Sequence, residues 1–360
     1  MSKARLESEQ ERIYIMKKKF FILLFSLLLV IVVGGFIFNK EDDERFSGLS
    51  NEYDVSPQNT IAYIVYSDGK PQLLLYNEEK TLKKTVAEFD ENTLIFDPTF
   101  SKDGTVLAYV TSNKNKETEL ESTVHFLDMK TFKLKEVFTD HSTITEIDFK
   151  PDQSSLFYLR AGTFENYSPI TGERPHEFDV FEYHLEKKSH APITNLKQYS
   201  MESLHAAPSG DKIYIQRIHD DDVKTAEDSF EAKQKIFEIP LAQPEQAGIV
   251  SNPDRQVDIY DFDITPEGTG MIFQSISNSE EGGTFEYELY QYDLKSKQEK
   301  QLTRLGQYVG DPVISSDGKT IYFMLDKNFA KGDPVHHLYK MNPDGDYMKE
   351  VELPTSMEEK

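Results

Sequence analysis

The stretch that decides the fold is Asp311-Pro312-Val313-Ile314-Ser315-Ser316-Asp317-Gly318-Lys319-Thr320-Ile321-Tyr322-Phe323. Its pattern predicts a short strand, a tight turn at Ser316-Asp317-Gly318, and a second strand that places Ile321 and Phe323 on one face. A closely similar stretch runs from Asp97 to Tyr109, and its turn is Lys102-Asp103-Gly104. A strand–turn–strand unit that occurs twice indicates a repeat.

Weaker copies of the unit bring the number to six. The units span Tyr53–Tyr63, Pro98–Tyr109, Ile147–Tyr158, Leu204–Ile215, Phe262–Phe273 and Pro312–Phe323. Each unit is followed by an apolar-aromatic third strand, at Leu74–Tyr76, Val124–Leu127, Val180–Tyr183, Ile236–Ile239, Leu289–Tyr292 and Leu338–Met341. Shorter fourth strands are predicted at Val86–Phe89, Glu136–Thr139, Ala191–Thr194, Gly248–Val250, Lys300–Thr303 and Glu350–Leu353.

Six copies of a four-stranded unit, 45 to 58 residues apart, predict an all-β fold, a six-bladed β-propeller of four-stranded blades. One such sheet cannot bury both of its faces alone, whereas sheets stacked in a ring can. The first copy begins near Tyr53 and the last ends near Leu353, so the repeats leave no obvious strand for exchange between the first and last blades. How the ring closes stays open at this level.

The repeat core has the pattern Ser-x-Asp-Gly-x-x-apolar-x-aromatic. It occurs with a Leu-Tyr-x-x-Asp-Leu strand and a Gln-Leu-Thr strand, best in residues 312–323 and 289–303. These motifs resemble the TolB-type propeller repeat, and the copies together cover residues 53–353. The resemblance implies a propeller and, because TolB is a periplasmic partner-binding protein, a binding function. Related repeats also lie beside catalytic domains in prolyl-oligopeptidase-like enzymes.

The N-terminus has the pattern of a membrane anchor. Residues 1–19 carry six basic and three acidic side chains, and Phe20–Phe38 is a run of 19 uncharged residues. A helix of that length spans roughly 28 Å, close to the hydrocarbon core of a bilayer. Acidic residues follow in the predicted linker 39–50, so the charge asymmetry places the N-terminus in the cytoplasm and the propeller, residues 51–354, outside. Residues 355–360 form a C-terminal tail.

A cleaved signal peptide that starts at Met16 is the alternative to this anchor. The apolar run is longer than a signal-peptide core, and Val33-Gly34-Gly35 is a poor cleavage site, so we favour an uncleaved signal-anchor. A cysteine-free exported protein with this N-terminus suggests a single-pass cell-membrane protein of a Gram-positive bacterium.

The composition excludes several classes of function. The chain has 360 residues, 40 basic and 63 acidic, with a net charge of −23, which argues against a nucleic-acid partner. Without cysteine it has no disulfide, thiol nucleophile or thiolate metal site. We find no Gly-x-Ser-x-Gly, Walker A or His-Glu-x-x-His motif, so no catalytic residue, cofactor or metal is predicted.

The long insertions between second and third strands lie on one face of a propeller. They are Ser112–Ser122, Ala161–Phe178, Ile218–Gln234, Ser277–Phe285 and Asp326–Val335. The longest two lie in neighbouring blades and combine aromatic, Arg and acidic residues, as interaction surfaces do. The binding-face candidates are Phe164, Tyr167, Arg174, Phe178, His219, Asp220, Asp221, Asp222 and Phe230. Consecutive residues such as 219–222 do not converge easily on one cation, so a solvated charged loop is the simpler interpretation of that run.

Two functions remain open. The first is a non-catalytic, monomeric propeller that binds an envelope protein or peptide through its long-loop face. The second is a hydrolase or lyase with carboxylates at the central channel, where Asp148, His205, Asp261 and Asp263 are candidates to line the wall.

Overall fold

The computed structural model describes residues 47–114, 121–166, 173–219, 232–279 and 283–354. The chain separates into two compact units, one formed by residues 1–44 with 219–233 and one by residues 45–218 with 234–360. Of the smaller unit the structure describes residues 219, 232 and 233. All the strands named below belong to the larger unit.

The regular secondary structure of the described residues is β-strand, apart from one short 3-10 helix at Pro244–Gln246. The first twelve strands are β1 Gly48–Val55, β2 Ile61–Ser67, β3 Lys70–Asn77, β4 Leu82–Glu88, β5 Thr93–Phe100, β6 Val106–Asn113, β7 Ser122–Asp128, β8 Leu134–Asp140, β9 Thr143–Phe149, β10 Ser155–Asn166, β11 Glu173–His184 and β12 Ser189–Pro192. They are followed by β13 Met201–Ala206, β14 Lys212–Ile218, β15 Gln234–Pro240, β16 Gly248–Ile249, β17 Ile259–Ile264, β18 Gly270–Ile276, β19 Tyr287–Asp293, β20 Glu299–Gln301, β21 Tyr308–Ile314, β22 Ile321–Asp326, β23 His336–Met341 and β24 Lys349–Glu350.

Within each set of four consecutive strands, every strand pairs antiparallel with the next one in the chain. Four sheets have four strands each, namely β1–β4, β5–β8, β9–β12 and β13–β16. The strands β17–β24 form one eight-stranded sheet, because Tyr287 of β19 makes a parallel bridge to Tyr308 of β21. Because consecutive strands of a set are antiparallel, its first and third strands run in the same direction, and the bridge shows that the first strand of the following set does so too. The beginnings of these strands therefore lie at one end, together with the ends of the second strands, and we call it the loop end.

The turns of the repeat depend on an aspartate followed by a glycine. Gly318 has a φ of 68° and Gly104 a φ of 69°, a backbone conformation that favours glycine. The Asp317 carboxylate accepts hydrogen bonds from the Ser315 hydroxyl (2.8 Å) and the Lys319 N–H (3.1 Å), and Asp103 does the same in the earlier copy. The tight turns predicted from the sequence are confirmed.

The core lies between the sheets. One apolar cluster joins β2 and β3 to β5, β6 and β7, and others join β14–β15 to β17–β19 and β18–β19 to β21–β23. Tyr109 and Phe323 are fully buried in these clusters. Each large side chain buried in this way contributes about 1.5–3 kcal/mol. A sheet that packs on a neighbour at each face is the arrangement expected of a β-propeller.

The first and last sets close on each other by packing. Val65 and Met324 belong to one cluster that joins β1–β3 to β22–β23. The Tyr63 hydroxyl donates a hydrogen bond to the carbonyl of Pro354 (2.7 Å), and the Tyr53 hydroxyl donates to that of Asp311 (2.6 Å). Among the described strands β1 pairs with β2 and β24 with β23, so side chains and not an exchanged strand join the ends.

Some predicted boundaries were wrong. Most of the insertion Ala161–Phe178 is strand, because β10 and β11 stay paired as far as Asn166 and Glu173. Pairing satisfies backbone groups that a loop would leave to water. Strand β1 begins at Gly48, inside the predicted linker 39–50, and β24 ends at Glu350, before Leu353.

The predicted membrane segment Phe20–Phe38, the preceding residues 1–19 and the tail 355–360 lie outside the described residues. Within the part of the chain that is described, no helix is long and apolar enough to cross a membrane.

Candidate functional site

The first strands of the six sets, β1, β5, β9, β13, β17 and β21, carry polar side chains at two matching positions. We call these strands the inner strands and their polar residues the inner ring. The first position holds Glu52, Asp97, Glu146, Ser203, Asp261 and Asp311, and the second, two residues later, holds Asp54, Thr99, Asp148, His205 and Asp263, with the apolar Val313 as the exception in β21. In addition to burial, a carboxyl of one inner strand raises the pKa of a carboxyl on a non-adjacent one, Asp261 that of Glu52 at the first position and Asp263 that of Asp54 at the second, so both positions face a common centre.

First-position carboxyls tie one inner strand to the next. The N–H of Asp97 donates to Oε2 of Glu52 (2.8 Å), and the N–H of Ile147 donates to Oδ2 of Asp97 (2.5 Å). Glu146 accepts from the backbone of Ser203 (2.9 Å) and Leu204 (2.6 Å). Asp97 and Ser203 adopt positive φ angles of 47° and 55° at bulges, and this conformation presents their N–H groups to the preceding set.

Second-position aspartates make a bond of one repeated kind. The carboxylates of Asp54, Asp148 and Asp263 accept hydrogen bonds of 2.6 Å from the backbone N–H of Phe100, Ala206 and Ile314, respectively. In each case the donor lies at the same register of the next inner strand. These carboxylates therefore link neighbouring sheets by hydrogen bonds, and we call each such link a tie.

Partial burial changes the protonation of the ring. Burial raises the pKa of every carboxyl in the ring and is the largest cause each time. The pKa is about 6 for Asp261, about 8 for Glu146, and about 7 for Glu52, Asp54, Asp148 and Asp263. For Asp97 and Asp311 the pKa lies well above the ordinary range. Backbone hydrogen bonds oppose the rise by favouring the ionised form. Several of these carboxyls are therefore protonated at neutral pH, and the ring carries less charge than its composition suggests.

The four predicted channel residues are brought together. Asp148 is close enough to Asp263 for the second carboxyl to raise the pKa of the first. Nδ1 of His205 lies 3.7 Å from Oδ1 of Asp263, and the two side chains are 28% and 19% exposed, so solvent reaches both. The Ser203 hydroxyl donates to Asp261. Burial lowers the pKa of His205, so its imidazole is mostly neutral at neutral pH.

The Ser203 hydroxyl donates to the carboxyl of Asp261 and not to an imidazole, so the arrangement differs from the Ser–His pair of serine nucleophiles. Across the described ranges, no group of three or more His, Asp or Glu side chains is placed to hold a metal ion. The hydrogen bonds of the inner ring described above join neighbouring inner strands.

Sequence reasoning missed five of the eight carboxyls of the inner ring. Glu52, Asp54, Asp97, Glu146 and Asp311 were not among the predicted channel residues. An acid-x-acid pattern at Glu52, Glu146 and Asp261, each a fixed distance before the turn, was the signal that could have found most of them.

The binding-face candidates have different outcomes. The side chains of Phe164, Tyr167, Arg174, Asp220, Asp221, Asp222 and Phe230 lie outside the described part of the chain. Phe178 is only 7% exposed and packs in the core formed by β10–β11 and β13–β15, so it is a core residue and cannot serve as a contact. The N–H of His219 pairs with the carbonyl of Lys233 within the smaller unit.

Comparison with solved structures identifies the fold. TolB from Acinetobacter baumannii superposes with a TM-score of 0.59 and 15% sequence identity. The superposition covers 80% of this chain and 62% of the TolB chain. The β-propeller domain of the trilobed protease from Pyrococcus furiosus, which has an open velcro topology, gives 0.51 at 15% identity, covering 86% and 84% of the two chains. Oligogalacturonate lyase from Vibrio parahaemolyticus gives 0.53 at 13%, covering 82% and 78%.

No protein-family profile matches the chain, and no curated protein matches it. At these identities the similarity establishes architecture and leaves activity open. The sheet order, the packing between sheets and the superpositions agree with one another. The described part of the chain has the fold of the TolB-type β-propellers.

Proposed function

We propose that the chain is a membrane-anchored, extracytoplasmic six-bladed β-propeller that binds an envelope protein or peptide at its loop end without catalysis. The observation that supports this most directly is the use of the inner ring. Its carboxyls accept backbone hydrogen bonds from neighbouring inner strands, so the groups that an enzyme would need for proton transfer serve to join sheets.

The proposed number of six blades is supported if the eight-stranded sheet is treated as two blades. Its two halves, β17–β20 and β21–β24, are joined by the single bridge between Tyr287 and Tyr308. Each half repeats the order of the other four sheets. Four sheets and two halves make six blades, the number of repeats in the sequence.

The loop end is the surface that we assign to the partner. Loops between β10 and β11 and between β14 and β15 belong to neighbouring blades, and they carry the remaining candidates, Phe164, Tyr167, Arg174, His219, Asp220, Asp221, Asp222 and Phe230. Phe20–Phe38, as an uncleaved anchor, would keep the chain at the cell membrane, where a protein of the cell envelope is within reach. One copy of the propeller is sufficient for such binding, so we propose a monomer.

An enzyme is the second candidate, and one observation favours it. Ser203, His205, Asp261 and Asp263 lie together at a solvent-accessible centre, where a hydrolase or lyase would place its acid and base. Turnover of a polysaccharide or peptide substrate by the purified protein, lost in His205→Ala, would support this function over binding alone.

Affinity capture after crosslinking in the native membrane tests the binding function. The wild type is compared with a variant in which residues 167–172 and 220–231 are replaced by Gly/Ser linkers. The matched control replaces residues 295–297, the turn between β19 and β20 at the opposite end, with Gly-Ser-Gly. We expect one envelope partner with the wild type and the control, and none with the loop variant. Equal capture by all three, or by none, would contradict the proposal.

A further inference from the structure

Three tyrosines meet at the loop end because three strands begin there. Tyr287 is the first residue of β19, Tyr308 the first of β21 and Tyr260 the second of β17. The ring centroids of Tyr260 and Tyr287 are 5.3 Å apart, and those of Tyr287 and Tyr308 are 5.0 Å apart. Phe329, from the connection between β22 and β23, lies 5.7 Å from Tyr287 and 5.4 Å from Tyr308. We call these four residues the tyrosine cluster.

The cluster has hydrogen-bonding atoms that the described residues do not use. Tyr287 is fully buried, and its hydroxyl has no partner among them. The hydroxyl of Tyr260, whose ring packs against that of Tyr287, is also enclosed and without a partner in that part of the chain. A buried polar group without a hydrogen bond costs about 1–3 kcal/mol, so native proteins rarely keep two of them side by side. The two hydroxyls together indicate a site that a polar group completes.

The electrostatic surroundings of the cluster are acidic. After burial, the carboxylate of Asp258 is the largest cause of the raised pKa of Tyr260 and Tyr287. Carboxylates raise a phenol pKa because they create a negative potential at its oxygen. The same potential, with the negative faces of aromatic rings, attracts a cation.

The shape of the cluster favours a planar organic cation over a metal ion. Among the described residues no group of three or more metal-binding side chains exists, and the unused atoms of the cluster are two phenol oxygens. A guanidinium group has five N–H donors in one plane, is weakly hydrated and stacks on aromatic rings. An ammonium ion presents fewer donors and holds its water more strongly.

We propose that the tyrosine cluster recognises a guanidinium group, presented by an arginine side chain of the protein partner. The proposal rests on the proposed binding function and adds the chemistry of one anchor contact. Tyr260, Tyr308 and Phe329 are half-buried, so part of each ring is open at the loop end. Arginine is among the residues that most often dominate protein interfaces.

Peptide titration of the full chain tests the chemistry directly. The probes are acetyl-Gly-Arg-Gly-amide, the same peptide with citrulline, which keeps the shape and lacks the charge, and the same peptide with lysine. We expect the arginine peptide to bind, the citrulline peptide to bind about tenfold more weakly and the lysine peptide to fall between them. Equal affinity for the arginine and citrulline peptides would overturn the proposal.

Two hydroxyl deletions separate recognition from stability. Tyr260→Phe with Tyr287→Phe keeps both rings and removes two unpartnered hydroxyls, so the Tm should stay the same or rise, while affinity for the arginine peptide should fall about tenfold. Tyr109→Phe is the matched control, because Tyr109 is fully buried in β6 and its hydroxyl also has no partner among the described residues. It should leave peptide affinity unchanged. Unchanged affinity in the double variant would refute the site.

The same double variant distinguishes this inference from the proposed function. In the crosslinking experiment, undiminished partner capture by Tyr260→Phe/Tyr287→Phe, with loss in the loop variant, would reject the guanidinium site and leave the binding function intact. Reduced capture by both variants would support both.

Discussion

The carboxylate of Asp263 accepts a hydrogen bond of 2.6 Å from the backbone N–H of Ile314, which belongs to the next inner strand. Its other oxygen accepts the N–H of Ile264 on its own strand, also at 2.6 Å. One side chain therefore fixes two strands from different sets. Asp54 and Asp148 make the same contact to their own neighbours, so these aspartates are ties of the ring.

Removing one tie should destabilise the whole domain. In Asp263→Ala the N–H groups of Ile264 and Ile314 lose their acceptor, and we expect the free energy of unfolding to fall by about 1–3 kcal/mol. Asp263→Asn keeps an amide oxygen and should fall less. Urea denaturation at constant pH measures both.

The control for this prediction is Glu186→Ala, because Glu186 is exposed in the turn between β11 and β12. Its effect should stay within about 0.5 kcal/mol. If Asp263→Ala were as stable as this control, the aspartate would be a wall residue of the channel and not a tie.

The inner ring should make the protein less stable at alkaline pH. A carboxyl whose pKa is raised by folding contributes stability below its unfolded pKa, near 4, and loses that contribution as pH rises through its folded pKa. For Asp261, Asp54 and Glu146 the folded values are about 6, 7 and 8. Stability should therefore decline steadily from pH 5 to pH 9, which urea titrations at several pH values measure.

The contribution of Glu350 to stability should have the opposite pH dependence and decrease as the pH falls. Lys327 is the main cause that lowers its pKa to about 2, with help from His337 and Tyr339, so its contribution is lost as pH falls below 4. Glu350 is partly exposed, which keeps the effect small. We expect greatest stability near pH 5.

Glu146→Gln isolates one member of the ring. The amide keeps a hydrogen-bond acceptor for Ser203 or Leu204 and cannot ionise. The free energy of unfolding of the variant minus that of the wild type should be more positive at pH 9 than at pH 5. At pH 9 the wild-type Glu146 carries a buried charge that the amide avoids, whereas at pH 5 both side chains are uncharged. An identical difference at both pH values would show that Glu146 does not titrate in this range.

How far the sequence predicts this molecule depends on the range of each interaction. The turns at Gly104 and Gly318 and the third strands were predicted correctly because they rest on contacts within a few residues. The tie from Asp54 to Phe100 was not, because its donor lies 46 residues away and the neighbour in the ring is unknown until the sheets are stacked.

Burial imposes the same limit on the candidate site. Phe178 has the composition of an interface residue, and only the packing of β10–β11 on β13–β15 shows that it is in the core. The raised pKa values have the same origin, since a carboxyl in an isolated strand would be solvated. Local sequence patterns report which residues alternate, and the assembled ring decides which of them lose water.

Lys235 and Glu288 occupy equivalent positions of two third strands and carry opposite charges. Both precede the apolar residues of a third strand, and both are nearly fully buried. Glu288 accepts the N–H groups of Leu305 (2.5 Å) and Gly306 (2.7 Å). The ammonium group of Lys235 donates instead to backbone carbonyls, among them that of Asn252 at 3.2 Å. Each side chain therefore forms hydrogen bonds with backbone groups of the connection to the next set.

The sign of the charge at residue 235 should therefore matter. Lys235→Met leaves carbonyls without a donor, and we expect a loss of about 1–3 kcal/mol in the free energy of unfolding. Lys235→Glu should be worse, because a carboxylate would face those carbonyl oxygens. Chemical denaturation that ranks the wild type, Met and Glu in another order would contradict this account.

Closure of the ring can be tested with two tyrosines that differ in one hydrogen bond. Tyr63 and Tyr109 are both fully buried in second strands, but only Tyr63 has a described partner for its hydroxyl, the carbonyl of Pro354. Tyr63→Phe should lose about 0.5–1.5 kcal/mol, and Tyr109→Phe should be neutral or stabilising. Because Pro354 follows the last strand, the loss should also speed amide hydrogen exchange in β1–β2 and β22–β23 before the other strands. Exchange that rises uniformly would mean that the ends of the ring are no weaker than its other junctions.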